Sequence, residues 1–222
     1  MPTAMQSRFR LFTLSMMVAA AFGLSATGSK AEGIESAYSK FDIDRDCVWD
    51  SLDHLSEEER DQMLGNSAVC KGYGDYPVHF SEFDLRQYTG FGPVNEDWRT
   101  PGTFGQFNHV GDTIEWRLRN GRPFATIFRW FIENANPSTG EVDKKHEGQV
   151  LVISSVAQPD APEGDRTSCP IGYVDARANA NANELARQVA DSTAEGFRCG
   201  TDLPVFHGKR EPLSGNPTSI AE

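Results

Sequence analysis

Two alternating runs of apolar and polar residues flank Asn120-Gly121. Thr113-Ile114-Glu115-Trp116-Arg117-Leu118-Arg119 precedes the pair, and Arg122-Pro123-Phe124-Ala125-Thr126-Ile127-Phe128-Arg129-Trp130 follows it. Asn-Gly between such runs predicts a two-residue hairpin turn, because both turn residues must adopt positive φ. The simplest register pairs Arg119 with Arg122, Arg117 with Phe124, Glu115 with Thr126 and Ile114 with Ile127. Side chains of a strand alternate between faces. Ile114, Trp116, Leu118, Ala125 and Ile127 then form a core face, and Glu115, Arg117, Arg119, Arg122, Phe124 and Phe128 form a charged, aromatic opposite face.

Other segments read by the same logic. Val78, Phe80, Leu85, Tyr88 and Phe91 predict two short strands around Glu82-Phe83-Asp84. The β-branched run Gln149-Val150-Leu151-Val152-Ile153-Ser154-Ser155-Val156 predicts a strand buried on both faces. A short strand is expected over 171–176. Residues 182–197 predict a helix, with Ala182, Leu185, Ala186, Val189, Ala190, Ala194 and Phe197 at helical spacing. Asn181 would cap it, and Glu184 would complete a capping box. The polar, acidic stretch 32–75 holds two candidate turns of helix, one opened by Ser56 before Glu57, Glu58 and Glu59. Segments 93–105, 134–148 and 159–168 read as loops. The Pro-, Gly- and Ser-rich residues 204–222 read as a mobile tail. Strands followed by one helix predict an α+β fold. We expect an antiparallel sheet of about five to six strands, with one long C-terminal helix packed on a face, as a single domain over 32–203.

The N-terminus adds a compartment. Arg8 and Arg10 precede an apolar run over 11–24, and Ser29-Lys30-Ala31 follows with small residues at the cleavage positions, so 1–31 predicts a secretory signal peptide. A cut after Gly28 is the competing site. The apolar run is shorter than the roughly 20 residues a bilayer span requires, and no stable membrane anchor is expected. Removing 31 of 222 residues leaves 191, and the three bases lost take the net charge from −11 to −14. Such acidity disfavours nucleic acid, whose binding rests on neutralising phosphates. Cys47, Cys70, Cys169 and Cys199 form an even set in an exported chain, which predicts two disulfides. Three pairings are open, and Cys47–Cys70 with Cys169–Cys199 closes the most local loops. Each would stabilise by about 3 kcal/mol. There is no C-x-x-C and no His near a Cys at zinc-ligand spacing. No cofactor is expected.

Candidate chemistry is sparse. Asp42-x-Asp44-x-Asp46 resembles the opening of a calcium loop, with Asp50 and Asp53 at the ninth and twelfth positions. Cys47, however, occupies the place of the turn glycine, and the twelfth residue is not Glu. The hairpin face of Glu115, Arg117, Arg119, Arg122, Phe124 and Phe128 is the leading candidate binding surface, since Arg and aromatic side chains anchor interfaces. On that reading Arg117→Ala spares folding. Asp84, Arg86 and Arg129 are charges inside strand-like runs, where carboxylate–Arg pairing is the ordinary outcome. The five histidines are scattered, and the sequence holds no G-x-S-x-G, no H-E-x-x-H and no phosphate-binding glycine loop. The leading function is therefore a non-enzymatic periplasmic, or secreted, binding or protein-interaction module for an envelope protein or a small ligand. The alternatives are an envelope hydrolase using carboxylates such as Asp84, Glu115 or Asp175, and a calcium protein.

Several blocks carry a resemblance: Asp42-Ile43-Asp44-Arg45-Asp46-Cys47, Cys70-Lys71-Gly72-Tyr73-Gly74-Asp75-Tyr76-Pro77-Val78, Asp84-Leu85-Arg86, Thr113-Ile114-Glu115-Trp116-Arg117-Leu118, Pro123-Phe124-Ala125-Thr126-Ile127-Phe128-Arg129-Trp130, and Gly172-Tyr173-Val174-Asp175-Ala176 leading to Asn183-Glu184-Leu185-Ala186-Arg187. In these the chain resembles a family of exported, periplasmic proteobacterial proteins of unknown function. The resemblance implies export and a single domain, and it implies no particular chemistry.

Overall fold

The computed structural model of the chain describes Met1 and residues 33–95 and 103–218. Apart from Met1, the expected leader 1–31 lies outside the described residues. In chain order the elements are β1 (Ile34–Lys40), α1 (Ile43–Asp46), β2 (Cys47–Trp49), α2 (Glu57–Asp61), β3 (Gly65–Tyr73), β4 (Tyr76–Phe83), β5 (Arg86–Phe91), β6 (Thr103–Phe104), β7 (Phe107–Arg119), β8 (Arg122–Glu133), β9 (Gly148–Ser155), β10 (Pro170–Asp175), α3 (Ala182–Thr193), β11 (Phe206–His207) and β12 (Pro217–Thr218).

The strands make three sheets where one was expected. The largest has the order β1-β7-β8-β9-β10-β11, the second β2-β3-β4-β5, and the third is the pair β12-β6. Pairing is antiparallel except between β10 and β11. The second sheet exists because 65–91 folds on itself. Its β4–β5 turn holds Asp84 and Leu85 at φ 49° and 57°, the conformation of a two-residue hairpin turn. The disulfide Cys47–Cys70 joins residues directly opposite in β2 and β3.

The β7–β8 hairpin turns where expected, with φ 53° at Asn120 and 80° at Gly121. Its register departs after two pairs. Arg119 faces Arg122 and Leu118 faces Pro123, but Arg117 faces Ala125, leaving Phe124 as the extra residue of a bulge. Pro123 has no N–H for the ladder, and proline inside a central strand is found essentially at bulges. One extra residue moves every later side chain of β8 to the other face. Phe128 therefore joins Ile114, Trp116 and Trp130 in the core between the two larger sheets, together with Phe41, Phe80 and Phe91. Ala125 and Ile127 turn instead toward α3 and pack with Leu151, Ile153, Val174, Ala186 and Val189.

Helix α3 is shorter than expected, twelve residues ending at Thr193. Asn181 makes no side-chain cap, so the expected capping box is absent. Gly196, three residues past Thr193, is a poor helix former, and Gly196 N bonds Thr193 O in a tightening turn. Cys199 is then bonded to Cys169, tying the segment after α3 to the start of β10. The stripe on α3 is as read: Ala182, Ala186, Val189 and Ala190 are buried.

The segment 204–218, expected to be a mobile tail, carries β11, a 3₁₀ turn over Pro212–Ser214, and β12. Composition gave no sign of this, because its partners β10 and β6 are distant in sequence. Phe206 lies 5.3 Å from the ring of Tyr173, and Arg210 stacks 4.3 Å from the centre of Phe206. Gly148 accommodates the strap: a Cβ there would stand 1.8 Å from the Leu213 carbonyl oxygen. Gly148→Ala is expected to lower stability by about 1–3 kcal/mol through this overlap, measured by urea unfolding, with faster amide exchange concentrated in 204–218.

Candidate functional site

The six hairpin residues do not share one surface. Glu115 and Arg117, each 7% exposed, lie against α3. Glu115 accepts from Arg187 Nε at 2.6 Å and from Ser36 Oγ at 2.5 Å. Arg117 donates from Nε and Nη2 to the two carboxylate oxygens of Asp191 at 2.8 and 2.6 Å, and from Nη1 to Ser36 Oγ. The Glu115 carboxylate holds the Arg187 guanidinium above its usual pKa. These groups clamp α3 onto β7 and β1. Phe128 is 1% exposed in the core.

Arg119, Arg122 and Phe124 do meet, in a groove of about 590 Å³ at the hairpin tip. Each cation there already has a carboxylate. Arg119 donates to Glu195 at 2.7 Å and lies 5.0 Å from the Phe124 ring centre. Arg122 forks onto Asp160 and donates to Gln158 Oε1 at 2.6 Å.

The N-terminal aspartates form a capped turn of helix, not a calcium loop. Asp42 is the N-cap of α1 and accepts from the Asp44 and Arg45 amides at 3.2 and 3.3 Å. Arg45 lies 3.4 Å from Asp42 and 3.0 Å from Asp46, and it holds the Asp46 carboxyl below its usual pKa. Among the described residues, no group of three or more His, Cys, Asp or Glu is arranged to hold a metal ion. The three carboxylates considered for hydrolysis lie on separate elements. Asp84 sits in the β4–β5 turn, 2.5 Å from Arg86, and Glu115 belongs to the α3 clamp. Asp175 accepts from the amides of Arg177, Ala178 and Glu211 at 2.9, 3.0 and 3.0 Å. None of the three lines a described groove.

A groove of about 880 Å³ opens beside a second irregularity in β7. Val110 pairs with Trp130 and Ile114 with Phe128, so Gly111, Asp112 and Thr113 together oppose Arg129. This bulge sets three residues of β7 against Arg129, and Gly111 adds no side chain of its own. A Cβ there would stand 3.4 Å from the Arg129 carbonyl oxygen and 3.6 Å from the Phe131 ring. His109 stacks on Phe131 with ring centres 4.9 Å apart and planes 14° from parallel, and its Nδ1 is 3.0 Å from Glu133. Lys40 at the rim is bonded to Asp112 and Thr113 at 3.0 and 2.8 Å.

Arg129 stands apart from the other strand arginines. Its Nη1 donates to the neutral Gln149 Oε1 at 3.1 Å. Among the described residues no carboxylate lies within 4 Å of it, whereas Arg86, Arg117, Arg119 and Arg122 each have one. Burial pushes its guanidinium below its usual pKa. The sequence marks Arg129 as a charge within a strand, but its lack of a partner is a property of the fold alone. The groove thus holds a half-buried, uncompensated cation beside a flat aromatic wall, an arrangement suited to binding an anion.

The two disulfides fit an oxidising, extracellular-type compartment. No described helix is long and apolar enough to cross a membrane. No family model matches the chain, and no curated protein or solved structure matches it either.

Proposed function

We propose that the chain is an exported periplasmic binding module that takes a small ligand in the groove beside the β7 bulge. One observation carries the reading: Arg129 presents an uncompensated charge in a groove of about 880 Å³, in a chain of net charge −11 with 32 acidic residues. A half-buried charge with no carboxylate beside it keeps only part of its hydration, and an anion that binds there supplies the missing partner. The volume falls in the range of small-molecule sites, roughly 300–1,000 Å³, which favours a small ligand over an envelope protein. Binding is favoured over hydrolysis because Asp84, Glu115 and Asp175 are each held by structural partners away from this groove. The expected route is export through the N-terminal leader, followed by oxidation of the four cysteines.

The reading is tested by recording amide spectra of the exported, disulfide-intact protein against a library of small polar metabolites. Shifts centred on Gly111, Thr113 and Phe131 are expected for some members. Shifts centred instead on Arg119, Phe124 and Gln158 would move recognition to the hairpin tip. Silence at the Arg129 groove across the whole library would refute the reading.

A further inference from the structure

We infer that the ligand of this groove is a small monocarboxylate with a flat apolar body, its carboxylate held in the fork of Arg129. The inference rests on the binding reading above and narrows it to a chemical class. Gln149 takes one hydrogen of Nη1, and among the described residues Nε and Nη2 have no partner. Neither nitrogen is sealed from solvent, since neither figures among the buried unsatisfied atoms. A planar guanidinium with two adjacent free donors matches the two oxygens of a carboxylate, and such charge-assisted, paired bonds are the strongest a neutral-pH site can offer a monoanion.

The surrounding charges select against more highly charged anions. Asp42, Asp44 and Asp112 line the same groove. Lys40 is engaged by Asp112, and Arg45 by Asp42 and Asp46. Those pairs cancel Asp112 against Lys40 and leave Asp44 with one surplus negative charge on the Arg45–Asp42–Asp46 group, so a dianion such as hydrogen phosphate would meet about twice the residual repulsion felt by a carboxylate, with Arg129 as the one cation free to offset it. The His109–Phe131 stack forms a wall of the groove and suits a planar apolar body. Gly111 lines the groove beside Arg129, and a Cβ there would stand at ordinary contact distance from Arg129 and Phe131, so a side chain at this position enters the groove space.

The test uses the disulfide-intact protein at pH 8, where inorganic phosphate is mainly the dianion, with benzoate, its neutral isostere benzamide, and inorganic phosphate as probes. Benzoate is expected to shift the Gly111 and Thr113 amides and the Arg129 Nε–H resonance, with benzamide and phosphate each about tenfold weaker or more. Arg129→Gln is expected to weaken benzoate by about tenfold or more, and Arg129→Lys to restore only part, because an ammonium cannot fork. Gly111→Val is expected to block benzoate while leaving Arg129 in place, and the spectra themselves report whether each variant folds. Equal affinity for benzoate and benzamide, or unchanged benzoate binding in Arg129→Gln, overturns the carboxylate assignment while leaving a small-ligand groove standing. Phosphate binding more tightly than benzoate overturns it as well. A groove silent toward all three probes also overturns it, and the broader reading falls with it only if the metabolite library is silent there too.

Discussion

Phe128→Ala is expected to destabilise the domain by about 3–5 kcal/mol, while Phe124→Ala costs about 1–2 kcal/mol. The contrast follows from the bulge after Pro123. Phe128 is 1% exposed, and its ring lies edge-on to Phe41 at 5.4 Å and 6.4 Å from Phe91. Truncation there opens a cavity at the seam between the two larger sheets, where close-packed neighbours relax only partly. Phe124, the extra residue of the bulge, is half-buried at the hairpin groove, where it packs on the edge of the cluster beside α3 and carries Arg119 over its ring. A regular hairpin would put both rings on one face and make the two truncations alike. Urea unfolding of both variants measures the difference, and equal losses would show that the bulge is absent.

Arg117→Ala is expected to cost about 3 kcal/mol, the lower end of the range for breaking a buried ion pair. The lower end applies because the Asp191 side chain is 28% exposed and water screens part of the loss. The clamp joins three elements, since Arg117 on β7 reaches Asp191 on α3 and Ser36 on β1. Arg117→Lys is expected to recover little, because both oxygens of Asp191 are met by two nitrogens of one planar group. A double-mutant cycle with Asp191→Ala should show a coupling of about 1 kcal/mol or more. Additive losses would mean that the two side chains merely neighbour one another. The hairpin face thus has a structural task, contrary to the expectation that Arg117 is dispensable for folding.

The local features of this chain are legible without coordinates. Asn120-Gly121 marks its turn because few residue pairs tolerate two positive φ angles. The Gln149–Val156 run reads as doubly covered because it has no polar side, and the stripe of α3 follows from helical period. The disulfide partners follow from local loop closure. What escapes the reading is set at a distance. The β7–β8 register turns on a single residue, and Pro123 was the available signal, since a proline inside an interior strand calls for a bulge. The 204–218 strap escapes because its composition resembles that of disordered tails, while its partners lie in β6 and β10. The candidate site is legible only as the oddity of Arg129 within an apolar strand. Its opening depends on the wide bulge at Gly111 and on carboxylates being elsewhere, and neither shows in alternation or spacing.

A residue kept for binding at the expense of stability betrays itself when its charge is removed. Arg129→Met retains the apolar stem and deletes the uncompensated guanidinium. Thermal and urea unfolding of this variant beside the parent chain is therefore the most direct measurement. The expected result is a stability equal to the parent's or higher, by up to about 1 kcal/mol, together with loss of benzoate binding. A fall in stability comparable to that of Arg117→Ala would contradict the account, because the fold would then depend on the Arg129 guanidinium far beyond its single bond to the neutral Gln149.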